Sequence, residues 1–402
     1  MKVMVALEAR LVRAADGNIY GQGPINYNFL RRYLSVFDEV VVLARVKQTE
    51  LENVEKLNPV EGHNVKVFEL SSYVGPWQFL RQYRRLNTTI KAILHEADAY
   101  ILRSPGAISS LLYNYLRKNR IPYGIEIVGD PWDSLAPGSV KTILRPVLRR
   151  KMKRDLEKQC KNASASAYVT EYSLQKRYPP GGWSTHYSSI DLSAEMILDE
   201  SAIDDRMERL RIKIKSDKPI CCCYIGTMNQ LYKAPDILIE ALGICIKRGI
   251  KIELVMIGDG EFRYQLQEQS QNLGIADNVK FLGWLSPGKD VFEQLDESDL
   301  YVLPSRQEGL PRTIIEAMAR GLPCIGSAVG GFGELLAPDE LIPPGNSKLL
   351  ARKIEEIIGD SSRLEKMARR NLKNARKYTS DKLAERRNSF FNRLKEASQK
   401  ER

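Results

Sequence analysis

Short apolar runs alternate along this chain with longer stretches in which apolar residues recur every three or four positions. Residues 3–7, 40–44, 65–68, 99–102, 125–128 and 167–170 are compact apolar runs, which predicts strands covered on both faces. Between them, 77–96 and 108–118 carry the helical period. The second half repeats the scheme, with strands at 220–225, 252–257, 279–281, 300–303 and 324–325 and helices at 235–247, 262–272 and 311–320. Such alternation predicts parallel sheets with helices on both faces. Residues 193–218 are polar and charged and read as a linker. The last forty residues are helical and basic and contain no strand pattern. The expected architecture is α/β: a doubly wound domain over 1–192, a linker over 193–218, a second doubly wound domain over 219–375 and a terminal helical segment over 376–402.

Length agrees with two domains, since 402 residues exceed what one hydrophobic core usually serves. The first apolar run is interrupted by Glu8 and Arg10, so no secretory leader is expected, and no stretch approaches a membrane span. Cys160, Cys221, Cys222, Cys223, Cys245 and Cys324 form neither a disulfide framework nor a metal-ligand spacing, and reduced thiols in a cytosolic protein are the simplest account. The net charge of +11 is concentrated. Residues 141–161 carry a surplus of 7 positive charges and 363–402 a surplus of 9, which leaves −5 for the rest. A uniformly basic nucleic-acid binder is therefore not expected. Two basic helices on an acidic body suit contact with an anionic lipid surface. In the first of them, Leu148, Met152 and Leu156 form a helical stripe, so a solvated helix packed on its own domain is the competing account.

Several signals carry less. The G-x-x-x-x-G-K-[ST] phosphate loop is absent. Gly258-Asp259-Gly260 lacks the third glycine of a dinucleotide fingerprint and reads as a tight turn. His63, His95 and His186 are scattered. Trp77 reads as core packing or a loop anchor, whereas Trp132, in Gly129-Asp130-Pro131-Trp132-Asp133 just past a strand, is a candidate sugar-stacking platform.

The strongest local signal spans residues 300–331, LYVLPSRQEGLPRTIIEAMARGLPCIGSAVGG. A strand ends at Pro304, a loop comes next, and Pro311 stands where a helix begins. The loop–helix junction points unpaired N–H groups and a positive dipole end out of the sheet edge, an anion site suited to a diphosphate. Arg312 and Thr313 lie in the first turn. Glu308 and Glu316 flank it, and carboxylates accept hydrogen bonds from sugar hydroxyls. The pattern fits hydroxyls at both ends of a ligand and phosphates between them. Read alone, Glu316 as a solvated helix residue and Glu308 as a capping acid fit equally well.

This stretch resembles the signature of glycosyltransferase family 4, with Glu308 and Glu316 as its E-x7-E pair and with residues 317–323 and Gly330-Gly331 similar to the family's segment after that pair. The segment from Gly226-Thr227 through Lys233 to Asp236 resembles the family's phosphate-binding segment, and Gly258-Asp259-Gly260 and Gly283-Trp284 fall at its corresponding turns. The resemblance covers 219–360. Over the first half it rests on Gly21-Gln22-Gly23-Pro24 and Gly129-Asp130.

The resemblance implies a GT-B fold, with two facing Rossmann-like domains, the donor between them and a C-terminal helix crossing back. It implies transfer of a sugar from a nucleotide-diphosphate sugar to a glycan or lipid-linked acceptor, with retained configuration, no metal and no cofactor. Lys233 would contact the diphosphate, and Glu308 the sugar. The backbone from Gly309 through Leu310, Pro311 and Arg312 to Thr313 would serve sugar and phosphates. Glu316 would hold the ribose, Gly283 and Trp284 would lie near the base, and Gly23 and Gly226 would line the site. Thr227 stands where many members have arginine. Gly129-Asp130 replaces a His-Asp pair, which makes Asp130 the substitute. A sugar-nucleotide epimerase and a non-catalytic nucleotide-sugar sensor are the rival readings. The expected location is cytoplasmic, peripheral at the inner face of a membrane.

Overall fold

The computed structural model describes residues 1–21, 25–49, 57–136, 143–286 and 288–400. The chain forms two units, Met1–Tyr187 with Ala384–Arg402, and Ser188–Leu383.

The first unit holds strands β1 (Lys2–Arg13), β2 (Ile19–Gly21), β3 (Glu39–Gln48), β4 (Asn58–Pro59), β5 (Val65–Ser71), β6 (Ala99–Ser104), β7 (Gly124–Ile127), β8 (Ala165–Tyr168) and β9 (Ser184–His186). Its parallel body runs β5-β3-β1-β6-β7-β8-β9, with β2 and β4 added antiparallel beside the outer half of β1. Val3 to Leu7 are buried because both faces of β1 are covered. Past an irregularity between Ala6 and Arg10, β1 runs on to Arg13 by pairing with β2 and β3, well beyond the expected residue 7. The strand expected at 167–170 lies two residues earlier, because Thr170 leaves the sheet and accepts from Leu174 N–H at 3.1 Å.

Helices Gly75–Ala92, Ala107–Lys118 and Arg145–Asn162 connect β5 to β6, β6 to β7 and β7 to β8. Right-handed crossovers place all three on one face. The middle helix bonds to both neighbours: Tyr115 donates to Asn87 O at 3.3 Å, and Gln159 Nε2 donates to Ser110 Oγ at 3.1 Å. The opposite face receives helix Ser380–Lys400, whose Phe390 and Phe391 are fully buried. Gly124 makes this possible, since a Cβ there would lie 2.7 Å from the Phe390 ring.

The second unit is one parallel sheet, β12-β11-β10-β13-β14-β15, built from β10 (Ile220–Ile225), β11 (Ile252–Ile257), β12 (Val279–Gly283), β13 (Leu300–Leu303), β14 (Cys324–Ser327) and β15 (Leu341–Ile342). Strand order reverses between β10 and β13, and open sheets bind ligands beside the strand ends at such a point.

Residues 193–218, expected as a linker, instead hold helix Ser201–Lys215 within the second unit. Ile203, Met207 and Leu210 are buried at helical spacing, and Gly321, at φ +63°, leaves room for the Ile203 side chain. Four arginines of the basic run after 363 are ion-paired. Arg363 pairs with Asp339, Arg370 with Glu340, Arg376 with Glu200, and Arg369 with Asp204 and Glu365. Among the described residues, no helix is long and apolar enough to cross a membrane.

Candidate active site

Two loops meet where the second sheet changes direction. After β10, Gly226 gives way to a tight turn over Leu231–Lys233, and Ala234 takes a left-handed conformation (φ +54°) before helix Pro235–Lys247. The Lys233 stem lies over Gly226, where a Cβ would come 2.7 Å from Lys233 Cδ and 2.5 Å from the Tyr224 hydroxyl. Gly258 is as constrained: at φ +125°, its missing Cβ would sit 2.0 Å from the Gly226 carbonyl oxygen. Gly258-Asp259-Gly260 is thus a close-approach turn braced against the loop after β10.

After β13, Ser305 is fully buried and Arg306 reaches across to the other loop. Its N–H donates to Tyr232 O at 2.7 Å, its guanidinium to Leu231 O at 2.6 Å, and both Asp236 oxygens accept from it at 2.8 and 2.6 Å. On the far side, Gly331 N–H donates to Gly309 O at 2.6 Å. The loop therefore has little freedom, and it feeds helix Arg312–Ala319. Pro311 is the N-cap residue with extended backbone, not the first helical residue as expected, so the free N–H groups start at Arg312.

Within this frame Lys233 Nζ lies 3.3 Å from Glu308 Oε1, and both side chains are only 13% and 12% exposed. Ser305 Oγ donates to the same oxygen at 3.1 Å. Glu316, one turn beyond Arg312, is partly buried; removal from water raises its pKa, while Arg312 and Lys233 pull it down. Lys233 therefore acts on both glutamates. Burial likewise raises Tyr232, whose electrostatic neighbours are Lys233, Glu308 and Arg312. The Tyr224 hydroxyl and Gln307 Oε1 are buried around these loops without a hydrogen-bond partner among the described residues. Orphaned polar atoms each cost about 1–3 kcal/mol, and concentrated at one place they mark a site built for something polar.

The remaining expected residues divide. Leu310 and Pro311 are buried and form the floor of the loop. Thr227 Oγ1 accepts from Asn229 N–H at 3.2 Å and closes its own turn. Gly283, at φ +75°, is tied to the site because its carbonyl accepts from Gly258 N–H at 2.7 Å, and Arg263 braces the turn through Asp259 and Phe281 O. Trp284 stands 68% exposed beside it. Gly23 lies outside the described residues.

Asp130 and Trp132, in the first unit, are already occupied. Asp130 caps the turn Pro131–Ser134 by accepting from Trp132 N–H at 2.8 Å, takes the Tyr178 hydroxyl at 2.5 Å and pairs with Arg177. These three partners hold the Asp130 carboxylate in place. The Arg149 guanidinium lies over the Trp132 ring, 3.8 Å from its centroid. The pairing of Arg306 with Asp236, which joins the two loops, was not signalled by the sequence, because a spacing of seventy residues has no local pattern.

Two doubly wound parallel units, with a cationic and acidic site at the switch point of the second, define the GT-B class of fold. Residues 206–378 match the family Glycosyl transferases group 1, so the second unit carries a glycosyltransferase group 1 domain. Protein CapJ of Staphylococcus aureus is 26% identical over 362 residues, covering 90% of this chain and 88% of that one. Sucrose-phosphate synthase of Thermosynechococcus elongatus superposes with a TM-score of 0.71 at 16% identity, covering 99% of this chain and all of its own. Anabaena HepE, solved in complex with UDP-glucose, superposes at 0.65 with 18% identity over 98% and 99% of the two chains.

Proposed function

We propose that this chain is a retaining, metal-independent glycosyltransferase of the family 4 kind. It moves a sugar from a nucleoside-diphosphate sugar to a glycan or lipid-linked acceptor, in polysaccharide or glycoconjugate synthesis. The observation that carries the reading is Lys233 Nζ at 3.3 Å from Glu308 Oε1 at the reversal of strand order. A cation beside a helix N-terminus suits a diphosphate, and a carboxylate next to it suits sugar hydroxyls. The similarity to HepE, solved with UDP-glucose, supports a donor of this class.

In the proposed step the bond between the anomeric carbon and the diphosphate breaks, and its electron pair leaves on the phosphate oxygen. Lys233 and the N–H groups opening helix Arg312–Ala319 stabilise that charge, so no resident cofactor enters the balance. Glu308 orients the sugar and Glu316 the ribose. The acceptor oxygen bonds to the anomeric carbon on the face the leaving group vacates, and its proton passes to the departing phosphate. The enzyme works on the cytoplasmic side of a membrane, with the basic helix Arg145–Asn162 against anionic lipid.

A panel of nucleotide sugars, offered with and without glycan acceptors, tests this. Transfer or slow hydrolysis with retained configuration is expected, and Lys233→Ala should lower kcat by about 10²–10³-fold. Transfer at the wild-type rate in that variant would refute the leaving-group role. An isomerised nucleotide sugar formed without acceptor would replace the transferase reading altogether.

A further inference from the structure

Tyr224 is the next-to-last residue of β10, and its side chain is fully buried. Phenylalanine would fill the same space, so what tyrosine adds there is a hydroxyl. That hydroxyl has no hydrogen-bond partner among the described residues. A buried polar group left unpaired costs stability, and one that persists calls for a function. Its surroundings are those of the candidate site. Burial pushes the Tyr224 pKa well up, and Tyr232, Glu308 and Asp236 act in the same direction while Arg306 opposes them.

Most of the charged groups nearby are already committed. Both Asp236 oxygens accept from Arg306, and Glu308 Oε1 takes Ser305 Oγ and Lys233 Nζ. Lys233 differs. Its ammonium has three N–H donors, and Glu308 is the one carboxylate within ion-pair distance of it among the described residues. Its stem already lies beside the orphaned hydroxyl: a Cβ on Gly226 would come 2.5 Å from the Tyr224 hydroxyl and 2.7 Å from Lys233 Cδ. The glycine leaves a recess that these two side chains share. Lys233 Nζ lies two bonds beyond Cδ on a flexible stem, with Glu308 on one side and this recess on the other.

We propose that Tyr224 is a positioning residue: when a diphosphate draws the Lys233 ammonium off Glu308, the Tyr224 hydroxyl accepts one of the N–H bonds released and holds the ammonium against the phosphates. In the free protein Lys233 rests on Glu308, and the orphaned hydroxyl is its second station. The exchange also frees Glu308 for sugar hydroxyls, so one movement readies both ends of the grip. This rests on the diphosphate-donor reading above, and it adds the group that catches Lys233 after the exchange.

The test uses the full chain and inorganic pyrophosphate, a diphosphate without base or sugar. Tyr224→Phe should melt at or above the wild-type temperature without ligand, because it removes an unpaired hydroxyl, yet bind pyrophosphate about ten-fold more weakly in calorimetry. In a Glu308→Gln background Lys233 has lost its first station and turns to the hydroxyl, so there Tyr224→Phe should lower the ligand-free melt by about 2–4 °C. With a nucleotide sugar that turns over, the donor KM should rise about ten-fold while kcat stays within about three-fold. Equal pyrophosphate affinity in wild type and Tyr224→Phe would overturn the proposal. So would a lower ligand-free melt of the single variant, no melt loss in the Glu308→Gln background, or a kcat loss at unchanged KM. Wild-type protein that ignores pyrophosphate would count against the donor reading, and the ligand-free melts would still judge the link between Tyr224 and Lys233.

Discussion

Arg306 grips both carboxylate oxygens of Asp236, at 2.8 and 2.6 Å, across seventy residues of sequence. The pair joins the loop that carries Glu308 to the start of the helix just after Lys233. The hydrogen bond to Asp236 raises the Arg306 pKa above its ordinary value. Arg306→Ala should cost about 1–2 kcal/mol in urea denaturation, a modest figure because the guanidinium still meets water. It should also lower kcat/KM more than stability alone explains, since the two functional side chains lose their common frame. Undiminished kcat/KM would show that the clamp serves folding only.

Glu308 is predicted to separate binding from transfer. Glu308→Gln removes the partner of Lys233 but keeps the shape, so the nucleoside diphosphate alone should bind as well as to wild type or better. Transfer should fall by on the order of 10²-fold. Calorimetry with the diphosphate and steady-state rates with the full donor give the two numbers. Parallel losses in both would mean that the carboxylate only holds the loop.

Glu316 gives a pH signature. Burial raises its pKa, so the folded state holds the proton more tightly than the unfolded chain. Its contribution to stability is therefore full below the ordinary glutamate value of about 4.3 and is lost as pH rises through the elevated folded value. Glu316→Gln should be at least as stable as wild type at neutral pH, with the advantage shrinking in acid, while its donor KM rises. Chemical denaturation of both proteins at several pH values checks the sign.

Gly330, at φ +51°, has its Cα side facing the Glu308 carbonyl oxygen, which an added Cβ would approach to 2.0 Å. Gly330→Ala must move that backbone. A loss of about 1–3 kcal/mol is expected from the conformation alone, together with loss of transfer. Gly333→Ala, where nothing lies within 4 Å, is the control and should behave as wild type.

Strands of the second unit were legible almost to the residue, as at β10, β11 and β13, because they are unbroken apolar runs between clear turns. The helix at 201–215 was not, because Asp204, Asp205, Arg206 and Glu208 hide an apolar stripe of only three residues. Lys233, Glu308 and Glu316 were singled out by the family resemblance, and the structure brings Lys233 and Glu308 to 3.3 Å of each other. Arg306–Asp236 had no such signal, and neither did the Arg177–Asp130–Tyr178 group that occupies Asp130. Contacts between residues far apart in the chain are set by topology, and a local pattern does not report them. Trp77, read as core packing or a loop anchor, is 67% exposed in the first turn of helix Gly75–Ala92.

Gly124 accommodates the Phe390 ring, and with it the first sheet receives a helix translated only after all of Ser188–Leu383. While the ribosome is still making the second unit, the β7 face that Phe390 and Phe391 will cover stays open to water. The first unit is thus the last to be completed, and its assembly is a long-range closure of the kind that slows folding and invites chaperone capture.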